Sequence, residues 1–163
     1  MGQAQLKIVP KSKLVELSLT HTDMPKLRHA LPWKSNSVDS VQVVNLVQFY
    51  TPDERIHFAN ELCRVLKAGA KAQISTPHWC SARAYGDLAF QYPPVSEGWF
   101  YHLNKDWRLA NAPWGKAYTC DFDITFGYGL HPLIINRNTE YQQHAVTFFK
   151  ESAQDIIVTL MKK

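Results

Sequence analysis

Between Gly2 and Gly69 the 163-residue sequence contains no glycine. A turn that brings main chain close against a phosphate or a cofactor calls for glycine, which has no Cβ and adopts positive φ freely. The stretch between those two positions therefore offers no such cradle. The three cysteines, Cys63, Cys80 and Cys120, form no C-x-x-C pair, which argues against a disulfide framework and suits reduced thiols in a cytoplasm. No apolar run approaches the length of a membrane span. The opening "MGQAQLKIVPKSK" has no signal-peptide apolar core, so the sequence predicts a cytoplasmic protein with no membrane contact. Leu6 stands where N-myristoylation needs Ser or Thr. Internal repeats and low-complexity segments are also missing. Net charge is only +4, which permits an acidic partner such as nucleic acid without requiring one.

What is present is ordinary globular chemistry. Hydrophobic residues make up 45% and charged residues 20%, enough for a single domain with a real core. "QLKIVPKSKLVELSL" holds two short apolar runs on either side of Pro10 and predicts two strands joined through 10–12. The polar piece 20–29 contains Pro25, which discourages a helix across it. "VDSVQVVNLV" is β-branched and nearly continuous, the pattern of a strand buried on both faces. "TPDERIHFANELCRVLKAG" carries helix punctuation: Thr51 as N-cap, Pro52 at N1, and Glu54 completing a capping box. Its stripe is Ile56, Ala59, Leu62, Cys63 and Leu66, with the helix ending at Lys67 and Gly69 in the left-handed position. "KAQIST" is then a strand stopped by Pro77, giving a right-handed βαβ unit.

Beyond it, 79–118 is dense in aromatics and interrupted by Pro93, Pro94 and Pro113. Only "SEGWFYHLNKDW" suggests a short helix there. "YTCDFDITF" alternates as a half-buried strand, and "GYGLHP" is a turn. In the tail, Tyr141, Ala145, Phe148, Phe149, Ser152, Ile156 and Leu160 share one face of a long helix with Asn138 as its N-cap.

"LPWKSNSVDSVQVVN" followed by a capped helix ending in Glu61, Arg64, Val65, Leu66, Lys67 and Gly69 resembles the second half of class I S-adenosylmethionine-dependent methyltransferases. The resemblance covers 31–77. From "PHWCSARAYGD" to "CDFD" the chain is similar to short methyltransferase-like proteins of phages and bacteria. It implies an α/β fold, a reduced Rossmann-like methyltransferase sheet with a long C-terminal helix. One domain spans 1–163: atypical N-terminal strands over 1–30, a strand-helix-strand core over 31–77, an aromatic loop-rich segment over 78–118, and a strand plus helix over 119–163. The N-terminal strands are expected to occupy the sheet position of the lost half.

The resemblance also implies S-adenosylmethionine as cofactor, with Leu31, Trp33, Asn45 and Gln48 around it. This sequence departs from the family there. The glycine turn and the acidic residue after the second strand are missing, Lys26 stands where an acidic side chain belongs, and Gln48-Phe49 replaces the Glu-His of the short relatives. The isolated chain is therefore predicted not to bind S-adenosylmethionine. Three functions stay open: a methyltransferase-like protein degenerate at its cofactor site that serves as a binding or assembly component, possible in a phage and then in the cytoplasm of its bacterial host; an active methyltransferase completed by a partner chain; or a nucleic-acid-binding module.

His78, just past a strand end, together with Arg83, Tyr85, Asp87 and Trp99, makes a candidate substrate or partner site, since open α/β sheets bind ligands at the carboxyl ends of strands. His78 can equally be a histidine that only holds its loop. No catalytic residue is assigned. His78, Cys80, Cys120 and His131 are of zinc-ligand type, but their spacings match no zinc pattern and no metal is expected. Asp121 and Asp123 share a strand face, most simply a solvated one. A sheet short of strands exposes an edge, so a homo-oligomer or larger assembly is expected, with Trp99, Phe100 or the Phe148 and Phe149 face at the contact.

Overall fold

A computed structural model describes residues 7–9, 14–20 and 30–163. Six strands form one mixed sheet: β1 (Lys7–Val9), β2 (Leu14–Leu19), β3 (Val38–Val44), β4 (Leu66–Pro77), β5 (Phe122–Leu130) and β6 (Ala153–Lys162), in the order β1-β2-β3-β4-β6-β5. β2, β3 and β4 run parallel, β1 pairs antiparallel with β2, and β6 lies antiparallel between β4 and β5. Four α-helices complete the described chain: α1 (Pro52–Val65), α2 (Glu97–Tyr101), α3 (Lys105–Asn111) and α4 (Thr139–Phe148). β2 pairs with β3, and β1 lies outside β2 at the sheet edge; the turn that joins them, and 21–29, lie outside the described residues.

The β3-α1-β4 unit forms as its punctuation predicts. Thr51 Oγ1 accepts the Glu54 N–H at 3.3 Å, and Glu54 Oε2 accepts the Thr51 N–H at 2.9 Å. Thr51→Ala should therefore lower stability by about 1 kcal/mol. α1 ends at Val65, two residues before Lys67, because Leu66 is already extended and opens β4. Gly69 has φ +74° and lies where the β3–β4 register slips, between the pairs Val38–Leu66 and Ser40–Lys71. A Cβ on Gly69 would meet nothing within 4 Å, so Gly69→Val tests backbone strain alone. It should cost about 1–2 kcal/mol. Thermal melts check both variants, and a negligible shift in each would contradict this account of the helix ends.

Two readings of burial are corrected. The inward stripe of α1 is Arg55, Phe58, Ala59, Leu62 and Val65 rather than one centred on Ile56 and Cys63; a buried arginine hides the true stripe from a hydropathy pattern. β3 is buried on one face only. Val41 and Val43 belong to the core while Gln42 is exposed. Ser18, Gln42, Gln73, Thr159 and Thr125 form one polar row across five strands on the opposite face. The surface left by a reduced sheet is thus polar.

The C-terminal half departs most from expectation. The long helix is instead the ten-residue α4, capped by Asn138 accepting the Tyr141 N–H at 2.8 Å, followed by β6. Ile156, Val158 and Leu160 are fully buried and alternate with period two. As a strand, this segment satisfies the main chain of both β4 and β5; as a helix it would leave both edges bare. "GYGL" is likewise strand, not turn. At Gly129 a Cβ would lie 3.3 Å from the Asp155 Cβ on β6, a tight approach that a larger residue would have to relieve by shifting Asp155.

The aromatic segment is mostly loop, with a 3₁₀ turn over Ala82–Tyr85 and the two short helices α2 and α3. Arg108 ties them to β5, donating to the His102 and Cys120 carbonyls at 2.6 and 2.8 Å. Phe100, one of the residues expected at an oligomer contact, is fully buried and cannot serve there.

Candidate functional site

The carboxyl ends of β4 and β5 and the start of α2 converge on a buried polar cluster. β4 ends at Pro77, and the His78 N–H then donates to the Gln154 carbonyl of β6 at 3.0 Å. This backbone bond fixes the imidazole beneath the sheet end, 1% exposed. Its Nε2 lies 3.1 Å from Glu97 Oε1 on α2, and its Nδ1 lies 3.0 Å from Cys80 Sγ. The Tyr128 hydroxyl, from β5, donates to the same Glu97 oxygen at 2.8 Å. The rings of His78 and Tyr128 meet edge to face at 5.7 Å.

Burial by itself would raise the Glu97 carboxyl, yet hydrogen bonds from His78, the backbone and Tyr128 outweigh it and hold the pKa down at about 2. Glu97 is therefore a carboxylate at neutral pH. It accepts a hydrogen bond from the Nε2–H of His78, which leaves the Nδ1 lone pair directed at the Cys80 thiol. The Tyr128 hydroxyl is pushed up by burial and by its bond to Glu97, so it stays a neutral donor. Cys80 Sγ also lies 3.3 Å from the Ala153 carbonyl. The cluster can hold a proton between Cys80 and His78, with the Glu97 carboxylate as the fixed acceptor of the Nε2–H.

The remaining sequence-predicted residues scatter. Arg83 pairs with Asp155 at 2.7 Å, opposite Pro77 in the β4–β6 ladder. The Tyr85 hydroxyl donates to the Trp79 carbonyl at 3.1 Å. His78, Arg83 and Tyr85 thus surround the end of β4. Asp87 instead accepts the Ala89 N–H at 2.8 Å within its own turn, and Trp99 packs against Phe100 and the core.

The four residues expected around a cofactor are divided between two ends of β3. Leu31 and Trp33 lie at its amino end, where the Glu61–Arg64 ion pair brackets them. Glu61 Oε2 accepts the Leu31 N–H at 2.7 Å, and Arg64 donates to the Leu31 and Trp33 carbonyls at 2.9 and 2.8 Å. Bonding to Arg64 lowers the Glu61 pKa. Asn45 and Gln48 lie past the carboxyl end, about 20 Å away along a seven-residue strand. Asn45 adopts φ +50° and donates to the Ser75 carbonyl; Gln48 Oε1 accepts the Thr76 hydroxyl at 2.9 Å.

Glu97 and Tyr128 are site residues that sequence reasoning missed, and Cys80 enters it only as a zinc-type residue. Nothing local signals them: Glu97 is 19 residues from His78 and 31 from Tyr128. Only the His-x-Cys spacing is visible in the chain. Of the zinc-type residues, Cys120 lies apart from this cluster, near the Leu103 carbonyl, with its thiol pushed up to about 12 by burial. Among the described residues no three His, Cys, Asp or Glu side chains gather as a metal site. Asp121 and Asp123 both face Lys163, at 3.8 and 3.3 Å.

Beside the cluster lies a cleft of about 340 Å³ lined by Trp79, Cys80, Tyr85, Phe148, Phe149 and Lys150. The four aromatic side chains are between 47% and 69% exposed, an unusual concentration of apolar surface on one rim.

No family model matches the chain, and no curated protein matches it. Solved structures do. A SAM-dependent methyltransferase from Archaeoglobus fulgidus superposes with TM-score 0.57 at 14% identity, over 85% of this chain and 64% of that one. A possible histamine N-methyltransferase from Thermotoga maritima gives 0.45 at 17% identity, over 84% and 61%. A putative S-adenosylmethionine-dependent methyltransferase from Listeria monocytogenes gives 0.44 at 8%, over 84% and 66%. The chain spans under two thirds of the length of each. The first of these likenesses shows the fold: an α/β sheet of the Rossmann-like methyltransferase class.

Proposed function

We propose that this chain is a methyltransferase-fold protein with a degenerate S-adenosylmethionine site, and that it acts as a binding component rather than a methyl-transfer enzyme on its own. The division of the expected cofactor residues carries this reading. Leu31 and Trp33 at one end of β3 and Asn45 and Gln48 at the other cannot frame one pocket, and the main-chain groups of the first pair are engaged by Glu61 and Arg64. β2, the strand beside β3, is followed by Thr20 rather than by a glycine turn.

Calorimetry tests it. The chain is expected to show no heat of binding with S-adenosylmethionine up to high micromolar concentration. A micromolar Kd at one site per chain would overturn the reading in favour of an active methyltransferase. The surface assigned to binding is the aromatic cleft at Trp79, Tyr85, Phe148 and Phe149. Tyr and Trp are the side chains that anchor recognition surfaces, whereas Lys150 is the one basic residue lining this cleft, too little for a nucleic-acid backbone. Light scattering at micromolar concentration separates its occupants. A mass near 18.7 kDa leaves the cleft to a foreign ligand, and twice that mass assigns it to a second copy.

A further inference from the structure

Three cysteines sit in three environments, and only one faces both a buried histidine and a cleft. We propose that Cys80 is a nucleophilic thiol, served by His78 and positioned by Glu97, and that its cleft takes a flat apolar molecule bearing an α,β-unsaturated carbonyl group. The inference rests on the cleft being a ligand site and is independent of S-adenosylmethionine binding.

The geometry has the three parts an activated nucleophile needs: a thiol, a base within hydrogen-bond reach, and a third group that orients the base. Cys80 Sγ lies 3.0 Å from His78 Nδ1, and His78 Nε2 lies 3.1 Å from Glu97 Oε1. Because the Glu97 carboxylate accepts the Nε2–H, Nδ1 carries a lone pair and, with the Ala153 carbonyl at 3.3 Å, is one of two acceptors within reach of the thiol proton. The resulting imidazolium would then lie against a carboxylate, in a site where His78 is shut off from water. Tyr128 holds Glu97 in place from the far side.

The surroundings select the chemistry. Acyl transfer needs N–H donors for a tetrahedral oxyanion, but the amides that follow Cys80 are occupied. The Ser81 N–H donates to the His78 carbonyl, and the Ala82 N–H donates to Glu151 Oε1 at 2.6 Å. Conjugate addition places the developing charge farther out, on an enolate oxygen, and Lys150 on the cleft rim supplies a cation for it. The Trp79, Tyr85, Phe148 and Phe149 side chains offer apolar faces to a planar group. In the step, the thiol proton passes to Nδ1 as the Sγ–C bond forms at the β-carbon. The double-bond electron pair moves onto the enolate, which then recovers the proton at its α-carbon. No leaving group and no oxidant is required.

The probe is N-phenylmaleimide, with adducts at Cys63, Cys80 and Cys120 followed over time by peptide mass spectrometry on the intact folded chain. Cys63 is the internal reference: it is more exposed than Cys80, and exposure alone would make it react first. Cys80 is expected to react at least about tenfold faster than Cys63, with Cys120 slowest. His78→Gln and Glu97→Gln should each remove that advantage while leaving the Cys63 rate unchanged. They should also change the pH profile of Cys80 labelling, which in the native chain reports the groups facing His78, namely Cys80, Glu97 on α2 and Tyr128 on β5. Labelling of Cys63 ahead of Cys80 in the unmodified protein would overturn the proposal whether or not the variants fold. So would a folded His78→Gln variant that labels at the native rate and with the native pH profile.

Discussion

Replacing Arg55 with methionine is expected to lower the stability of this protein by about 3 kcal/mol. Arg55 is 3% exposed and has no carboxylate among its hydrogen-bond partners. Its guanidinium instead donates to three main-chain carbonyls: Val47 at 3.1 Å, Pro93 at 2.6 Å and Gln91 at 3.1 Å. Two effects oppose each other. Burial pulls the Arg55 pKa down to about 10, a desolvation cost of about 3 kcal/mol that methionine would remove. Against this, a hydrogen bond to a charged group contributes about 1.5–3 kcal/mol, and three would be lost together. The bonds win. They also tie the 91–93 loop to the 3₁₀ turn that follows β3, so methionine should loosen that junction. Arg55→Lys should recover only part of the loss, because an ammonium cannot match a planar fork reaching three carbonyls. Urea unfolding checks the order: midpoints falling from native to lysine to methionine at constant slope. A methionine variant as stable as the native chain would show that the desolvation cost dominates.

The second large effect is a loss of acid resistance in Glu97→Gln. In the folded chain the Glu97 carboxyl sits at about 2, against 4.5 for the unperturbed group. A carboxyl depressed by folding contributes stability that is fully present above the unfolded value and is lost as pH falls through the folded one. The window is therefore from about pH 4.5 down to about pH 2, and the linked stability, reduced by solvent screening at this half-buried group, is about 1–2 kcal/mol. Glu61 is also depressed, through its bonds to Arg64 and Leu31, so native acid unfolding reports both groups. The difference between native and variant isolates Glu97. That difference should be largest at neutral pH and close as the solution is acidified through this window. A gap that stayed constant with pH would mean that His78 and Tyr128 do not hold an ionised Glu97.

Local sequence was enough for several features because each is encoded within one turn of chain. The capping box of α1 is written in Thr51 and Glu54, three residues apart, and the α4 cap in Asn138 and Tyr141. Gly69 is glycine because its φ is positive. The βαβ unit follows from two apolar runs either side of a capped helix. The Glu61 and Arg64 spacing was legible as a family feature, and its physical purpose, a clamp on the 31–33 main chain, appeared only with the fold.

Other features rest on partners distant in sequence, where no local period reports them. The 153–162 segment carries residues spaced as for a helix, and it is a strand because β4 and β5 both present edges that only an extended chain can satisfy. Arg55 has no place in an apolar stripe, and only the fold brings the Val47, Gln91 and Pro93 carbonyls around it. His78 was visible as a residue at a strand end, but its chemistry depends on Glu97 and Tyr128, delivered by α2 and β5 from elsewhere in the chain. The sequence by itself determined the strand-helix-strand core and the punctuation of its helices, since these depend on neighbours a few residues apart. Tertiary structure alone decided which groups meet beneath the sheet and which end of β3 each expected site residue occupies, because a sheet's register and order place side chains by pairing across strands, not by position along one.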